Sequence, residues 1–216
     1  GLWTLPVAAF AGALVSAMIV LALFGKLVQQ SPSQMVLAGL AVSFLFLSAT
    51  YYLIFAGDQR AAHSVLFWTL GGLGLANWKI LPLAFAGLVV IAALVMTTHR
   101  SLDALLAGDD AANTLGVNVR RYRQLAFLVC AFSTASFVAL SGVIGFVGLM
   151  VPHLARGLVG PLHGPLLLSS AIIGAVLLLV SDIAARTLLA PQEIPIGVLT
   201  TAVGAVFVLF LVRRTT

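Results

Sequence analysis

Long runs without a charged residue are the feature that most constrains the fold of this chain. The stretches Ile80–Thr97 and Leu125–Leu140 contain no Asp, Glu, Lys or Arg, and each approaches the roughly 20 residues that a helix needs to cross a bilayer. Hydrophobic residues make up 62% of the 216 residues and charged residues only 8%, too few to cover the surface of a soluble domain. The sequence predicts an all-α integral membrane protein, a polytopic transmembrane bundle forming one domain over residues 1–216.

The apolar runs predict about seven spans. These are Leu5–Phe24, Met35–Ala56, Ile80–Thr97, Leu125–Leu140, Val143–Val159, Leu166–Val180 and Ile196–Val212. The fifth is interrupted by Pro152, His153 and Arg156, which predicts a shorter or bent helix because proline breaks the helical hydrogen-bond ladder. The run His63–Leu75 is apolar but only about a dozen residues long, which predicts a short outer helix at the membrane edge.

A polar island, residues 99–124, separates the third and fourth spans and holds seven of the charged residues. Two short helices are predicted within it. Leu102, Leu105 and Leu106 share one helical face that ends at Gly108. A second helix begins at Asp109 or Asp110, either of which can cap it, and ends at Gly116, followed by Val117. Both helices are too short to span a bilayer, so we expect them on the membrane surface.

The basic residues predict which side of the membrane the island occupies. With seven spans, one side collects Lys26, Arg100, Arg120, Arg121, Arg123, Arg156, Arg213 and Arg214. The other side collects Arg60, Lys79 and Arg186. An excess of Lys and Arg marks cytoplasmic loops, so the island and the C-terminus are predicted to be cytoplasmic. This assignment depends on counting Val143–Val159 as one span.

Several functional classes lose support because of residues that the sequence lacks. No charged residue sits in the middle of a span, so a proton relay or ion site for secondary transport is not evident. No GxxxxGK[ST] phosphate-binding loop occurs, so the chain is predicted not to be an enzyme that hydrolyses ATP itself. The four histidines are scattered, and we assign no catalytic, cofactor or metal residue. The pI of about 10.2 is explained by membrane orientation, without a nucleic-acid partner.

Glycines around the fourth and fifth spans carry two interpretations. Gly142, Gly145 and Gly148 recur at every third residue. Small residues allow close helix packing in lipid, and they also allow a bend beside a moving element. The sequence leaves both interpretations open.

Three blocks, in order, resemble a known permease family. They are LLAGDDAANTLGVNV (Leu105–Val119), SGVIGFVGLMVPHLARGLVGPLH (Ser141–His163) and SDIAARTLLAPQEIPIGVLTTAVGAVF (Ser181–Phe207), and the similarity extends through Val36–Leu45 and Leu66–Trp78. The chain is similar to the membrane subunits of ATP-binding-cassette importers for iron-siderophores, haem and vitamin B12, the FecCD type. Members of that family have ten transmembrane helices, so the resemblance implies a type II importer permease lacking roughly its first three.

The resemblance implies partners and roles for named residues. The family works as a dimer of permeases, identical or paralogous, with two cytoplasmic ATPase subunits and a periplasmic binding protein, in the bacterial inner membrane. Its coupling helices match Leu105, Leu106, Gly108, Asp109, Asp110, Leu115, Gly116 and Val117. The outer helix lines the mouth of the path, which makes Trp68, Gly71 and Gly72 path or bend candidates together with the three glycines above.

Arg186 has two interpretations. In the resemblance it matches an arginine that pairs with a glutamate of the binding protein. From the residues alone, it is an ion-pair partner of Asp182, four residues earlier on a helix.

The substrate stays open at this stage. The resemblance favours a ferric siderophore, with haem and vitamin B12 as alternatives. An ion-coupled secondary transporter and a non-transporting membrane scaffold are the alternatives from other classes.

Overall fold

The computed structural model describes residues 4–25, 32–74 and 76–214, and every regular element in these ranges is a helix. The helices are α1 (Thr4–Gly25), α2 (Pro32–Ala56), α3 (Gln59–Thr69), α4 (Leu81–Leu105), α5 (Asp109–Thr114), α6 (Val119–Ser141), α7 (Val147–Val159), α8 (His163–Thr187) and α9 (Ile196–Arg214). The predicted all-α transmembrane class is confirmed. Lys26 and Leu75 lie outside the described residues.

Five of these helices, α1, α2, α4, α6 and α8, are long and apolar enough to cross a membrane. The apolar parts of α7 and α9 are shorter and take the places of the fifth and seventh predicted spans. Helix α7 has 13 residues and is therefore about 20 Å long. This is shorter than a hydrocarbon core of about 30 Å, and the non-helical residues 142–146 precede the helix.

The centre of the bundle is a close contact between α4 and α6. The hydroxyl of Ser133 donates to the carbonyl of Gly87 at 2.9 Å, and a Cβ on Gly87 would lie only 2.9 Å from Cβ of Ser136. Both serines are buried. Small side chains at the crossing let the two backbones approach, as is typical of helices in lipid. On its other side α6 packs against α1, where Phe10 and Phe132 meet edge-to-face with ring centroids 5.5 Å apart.

The prediction of two short helices in the polar island is wrong for the first of them. Helix α4 runs on without interruption to Leu105, so Leu102 and Leu105 belong to its last turns, and Leu106 is its C-cap. No glycine or proline lies between His99 and Leu105 to stop the helix. Only α5 is a separate short helix, beginning after Gly108, whose φ of 98° is incompatible with continuing α4.

The predicted boundaries of two spans were too narrow. Helix α6 begins at Val119 rather than Leu125, because the side chain of Asn118 accepts the backbone N–H of Arg121 at 3.0 Å and caps the helix. The first turns of α6 contain three arginines, so their composition resembles that of a loop and not that of a membrane span. Helix α8 likewise extends to Thr187, which places Asp182 and Arg186 on the helix itself.

The bundle has two ends that differ in composition. At one end, called the island end, lie the C-terminus of α4, helix α5 and the start of α8, joined by a contact of Asp103 with His163. At the opposite end, Gly72 donates its N–H to Ser141 at 2.7 Å, and Arg186 lies on the last turn of α8. The chain between Ser141 and His163 therefore passes from this end of the bundle to the island end through α7.

Candidate functional site

Helix α5 presents apolar side chains at the island end. Leu115, its C-cap residue, is 70% exposed, and Leu106 in the preceding turn is 52% exposed. Ala112, within α5, is completely buried, so it packs the helix against the bundle. The two leucines therefore form a small exposed apolar surface on and beside α5.

A bidentate ion pair fixes the orientation of α5. The two guanidinium nitrogens of Arg123, on α6, donate to the two carboxylate oxygens of Asp109 at 2.8 and 2.9 Å. Two parallel bonds of this kind restrict both distance and angle. The predicted capping role of Asp109 is therefore wrong, since the N-cap is Gly108 and no side chain caps α5. Asp110 is exposed in the first turn.

The end of α5 forms a Schellman motif. The N–H of Gly116 bonds to Asn113 O and the N–H of Val117 bonds to Ala112 O, both at 3.0 Å, which is the pair of bonds that defines this helix end. Gly116 has φ 84°, a conformation that favours glycine. The predicted C-terminal glycine is therefore confirmed. Beside it lies a cleft of about 560 Å³ lined by residues that include Asn113, Val117 and Arg120.

Three glycines from distant parts of the chain meet at the other end of the bundle. Gly71 (φ 69°) follows α3, Gly142 (φ 66°) ends α6, and Gly197 is near the start of α9. A Cβ added at any of the three would overlap a backbone carbonyl. The carbonyl is that of Val143 for Gly71, of Trp68 for Gly142 and of Leu70 for Gly197. We call this contact the glycine junction. It brings together Trp68, Gly71, Gly72 and Gly142, which were predicted separately.

The glycine junction also buries irregular backbone. Gly71, Gly142 and Gly197 are all buried, and Gly72 N–H pairs with Ser141 O. Irregular backbone at membrane depth is tolerated only where protein covers it. The break between α6 and α7 is therefore held by α3 and α9.

Gly145 and Gly148 do not belong to the glycine junction. A Cβ on Gly145 would lie 3.3 Å from the hydroxyl of Thr201, whereas a Cβ on Gly148 would meet no atom within 4 Å. Gly148 instead lines an apolar groove of about 780 Å³ between α4, α7 and α8. Sequence reasoning missed Phe146, whose positive φ of 64° is unusual for a non-glycine residue and whose ring occupies the space beside Gly204.

Arg186 makes two intrachain ion pairs. Its Nε donates to Asp182 Oδ2 at 3.0 Å, and its Nη1 lies 3.6 Å from Glu193 Oε1. The pair with Asp182 was predicted from the spacing. Glu193 lies on the following loop, and its approach depends on the bond from Ile194 N–H to Ala185 O at 3.0 Å. All three charged residues line a cavity of about 540 Å³ together with Trp68.

The four histidines have separate neighbours. His99 Nδ1 contacts Val95 O and His163 Nδ1 contacts Asp103. The rings of His63 and His153 pack against Phe67 and Phe207. Among the described residues there is no group of three or more His, Cys, Asp or Glu side chains that could hold a metal ion.

Comparison with known proteins identifies the family. The sequence profile of the FecCD transport family matches residues 1–214. The hemin transport system permease of Yersinia pestis is 38% identical over 213 residues, which cover 99% of this chain and 64% of that protein. The Fe(3+) dicitrate transport system permease of Escherichia coli is 38% identical over 210 residues, which cover 97% of this chain and 65% of that protein.

The fold agrees with this assignment. A solved structure described as a metal-chelate type ABC transporter in an inward-facing conformation superposes with a TM-score of 0.83 and 30% identity, covering 99% of this chain and 74% of that chain. The chain spans less than two thirds of the length of the two relatives above. From the family profile, the relatives and the shared fold together, we conclude that the chain belongs to the FecCD transport family.

Proposed function

We propose that this chain is a permease subunit of a binding-protein-dependent ABC importer and forms part of the translocation path for a ferric siderophore. The observation that carries the proposal is the anchored, exposed helix α5 in a chain of the FecCD transport family. A transporter driven by a separate ATPase needs a rigid contact that connects the two proteins. The chain is not itself an enzyme in this proposal, and ATP hydrolysis takes place in two partner subunits.

The coupling contact is formed by α5 and the turns on either side of it. Leu106 and Leu115 supply apolar anchors, and Arg123–Asp109 keeps α5 from rotating when it is pushed. A short helix that seats in a groove binds through a few such anchors. ATP binding closes the two ATPase subunits, α5 moves with them, and the bundle changes between outward-facing and inward-facing arrangements.

The island end faces the cytoplasm in this proposal. Arg100, Arg120, Arg121, Arg123 and Arg156 belong to helix ends on this side of the bundle. Such an excess of basic residues is typical of cytoplasmic surfaces. The proposal assigns the C-terminus to the same side, and this is supported by α9 beginning at the glycine junction and running beside α7, where Phe207 packs against His153. The compartment is the bacterial inner membrane.

The opposite end receives the substrate from a periplasmic binding protein. In this proposal the cavity of about 540 Å³ beside Trp68 and the glycine junction lies at the mouth of the path. A second permease copy, identical or paralogous, completes the path. No charged side chain lies in the apolar core of a described span. A path without fixed charges suits a large chelate that must pass without being held tightly.

Uptake by proteoliposomes tests the proposal and chooses the substrate. The complete permease gene would be expressed with its ATPase and binding protein, and uptake of Fe(III)–hydroxamate, Fe(III)–citrate, haem and cobalamin compared. The relatives carry names for hemin, Fe(3+) dicitrate and cobalamin, so haem and vitamin B12 are the alternatives. ATP-dependent uptake of Fe(III)–hydroxamate or Fe(III)–citrate is expected, whereas ATP-dependent uptake of haem or cobalamin alone identifies the alternative substrate. Uptake driven by an ion gradient without ATP identifies a secondary transporter, and no uptake of any compound identifies a scaffold.

Replacing Arg186 by glutamate is expected to weaken the binding protein's hold on the complex about tenfold, and more strongly at low salt. Docking exchanges the contacts of Arg186 with Asp182 and Glu193 for a carboxylate of the partner, and the substitution opposes like charges across that interface. The affinity would be measured by titration at two salt concentrations. Lys79→Glu, an exposed basic residue predicted on the same side, is the matched control. Equal affinities for wild type and Arg186→Glu would contradict the docking role.

A further inference from the structure

Asp103 lies where its own helix does not favour it. It is in the last turns of α4, which ends at Leu105. Carbonyl groups at a helix C-terminus carry partial negative charge, so an aspartate there is repelled by the helix that contains it. A stabilising partner must lie on another element.

The partner is the start of α8. One carboxylate oxygen of Asp103 accepts the backbone N–H of His163 at 2.7 Å and also contacts Nδ1 of the same residue at 2.9 Å. His163 is the first residue of α8, and its N-cap, Leu162, makes no capping bond. Asp103 therefore caps α8 from a position 60 residues away in sequence.

The contact is sheltered and has a second packing element beside it. The side chains are only 27% exposed for Asp103 and 18% for His163. One turn earlier on α4, the ring of His99 lies 3.8 Å from the Cβ position of Gly164. Two successive turns of α4 therefore contact the first two residues of α8.

This contact joins the proposed coupling surface to the opposite end of the bundle. Helix α5 follows α4 after three residues that are bonded back onto α4, with Gly108 N–H donating to Leu105 O at 3.1 Å. Helix α8 extends from His163 to Thr187 and carries Arg186 in its last turn. The start of α5 is thus close to Asp103, so a displacement of α5 pulls on the end of α4. A displacement of His163 in turn moves α8, which reaches the proposed binding-protein side.

We propose that Asp103 is a positioning residue that holds the start of α8 to the end of α4 and transmits the movement of α5 to α8 during transport. The inference rests on the proposed importer function. A purely local cap would stabilise the protein without affecting how uptake depends on ATP hydrolysis. The two roles are separated by the amount of substrate taken up for each ATP hydrolysed.

Comparison of Asp103→Ala with Asp103→Asn tests the role in the complete reconstituted complex. Asparagine keeps an acceptor oxygen in the same position, whereas alanine removes it. Uptake per ATP, measured with the iron chelate that wild type transports best, is expected to fall about tenfold for alanine and to be largely retained for asparagine. Asp58→Ala removes an exposed acidic residue directly before α3 and is expected to leave the ratio unchanged. A wild-type ratio in Asp103→Ala overturns the inference.

A covalent replacement of the contact keeps the inference testable if Asp103→Ala accumulates poorly. Cysteines at positions 103 and 163, in a Cys130→Ser background, would be joined by a short bismaleimide. Joining is expected to raise uptake per ATP above that of the unjoined sample, and no increase overturns the inference. Failure of the importer proposal is distinguishable, because wild type would then show no ATP-driven uptake.

Discussion

Replacement of Leu115 by glutamate is expected to reduce the stimulation of ATPase activity by the binding protein about 30-fold, while the permease remains folded. Leu115 is 70% exposed, so the change costs little within the chain itself. In the assembled complex, however, the new carboxylate would be buried in the groove of the ATPase, and loss of an interface anchor typically costs about 2 kcal/mol or more. The measurement is the ATPase rate of the complete complex with and without binding protein.

Leu115→Met is the matched control. Methionine keeps an apolar side chain of similar volume and is expected to retain stimulation close to wild type. Stimulation of Leu115→Glu at the wild-type level would remove α5 from the coupling contact.

The neighbouring residue Gly116 requires a separate variant. A substitution there disturbs the backbone as well as the surface, because φ is 84°. Gly116→Ala measures the backbone contribution without adding charge. The effect of a charged residue at position 116 is therefore the difference between that variant and Gly116→Ala.

Substitution of Gly142 by alanine is expected to destabilise the protein by about 3 kcal/mol or more, the range reached when a strained backbone and a steric overlap coincide. Its φ is 66° and an added Cβ would overlap the carbonyl of Trp68. Neither atom can move freely, because Gly72 N–H is bonded to Ser141 O in the same contact. The thermal midpoint in detergent is expected to fall by about 10 °C.

Gly148→Ala provides the control for Gly142→Ala. Gly148 is helical, and a Cβ there would meet no atom within 4 Å, so alanine is expected to leave the midpoint unchanged or to raise it slightly. Equal decreases for both variants would show that the glycine junction contributes no more than an ordinary helical glycine.

Features confined to one helix were predictable from the sequence. The charge-free runs predicted the long spans because each helix satisfies its own backbone and needs only an apolar surface to enter lipid. The pair Arg186–Asp182 followed from a spacing of four residues, which places both on one helix face. Gly116 was recognisable because a glycine after a short helical stretch commonly adopts the positive φ of a helix end.

Boundaries were less predictable because polar composition does not end a helix. The segment from His99 to Leu105 is polar and was assigned partly to a separate helix, yet it continues α4 because nothing in it breaks the hydrogen-bond ladder. The basic first turn of α6 lies outside the predicted span Leu125–Leu140 for the same reason, although Asn118 caps the helix. Local hydrogen bonding determined both boundaries, and composition did not.

The contacts that support the proposed function were decided only by tertiary structure. Asp109 was predicted as a cap but pairs with Arg123, and Asp103 reaches His163 from 60 residues away. The glycine junction unites Gly71, Gly142 and Gly197, which no sequence spacing connects. Periodicity reveals which face of a helix is apolar, but which helices meet, and at which height, depends on how all the apolar faces pack together. The sequence by itself thus determined the helices and the membrane class, while the packing of those helices decided how the proposed coupling surface is held and how it is connected to α8.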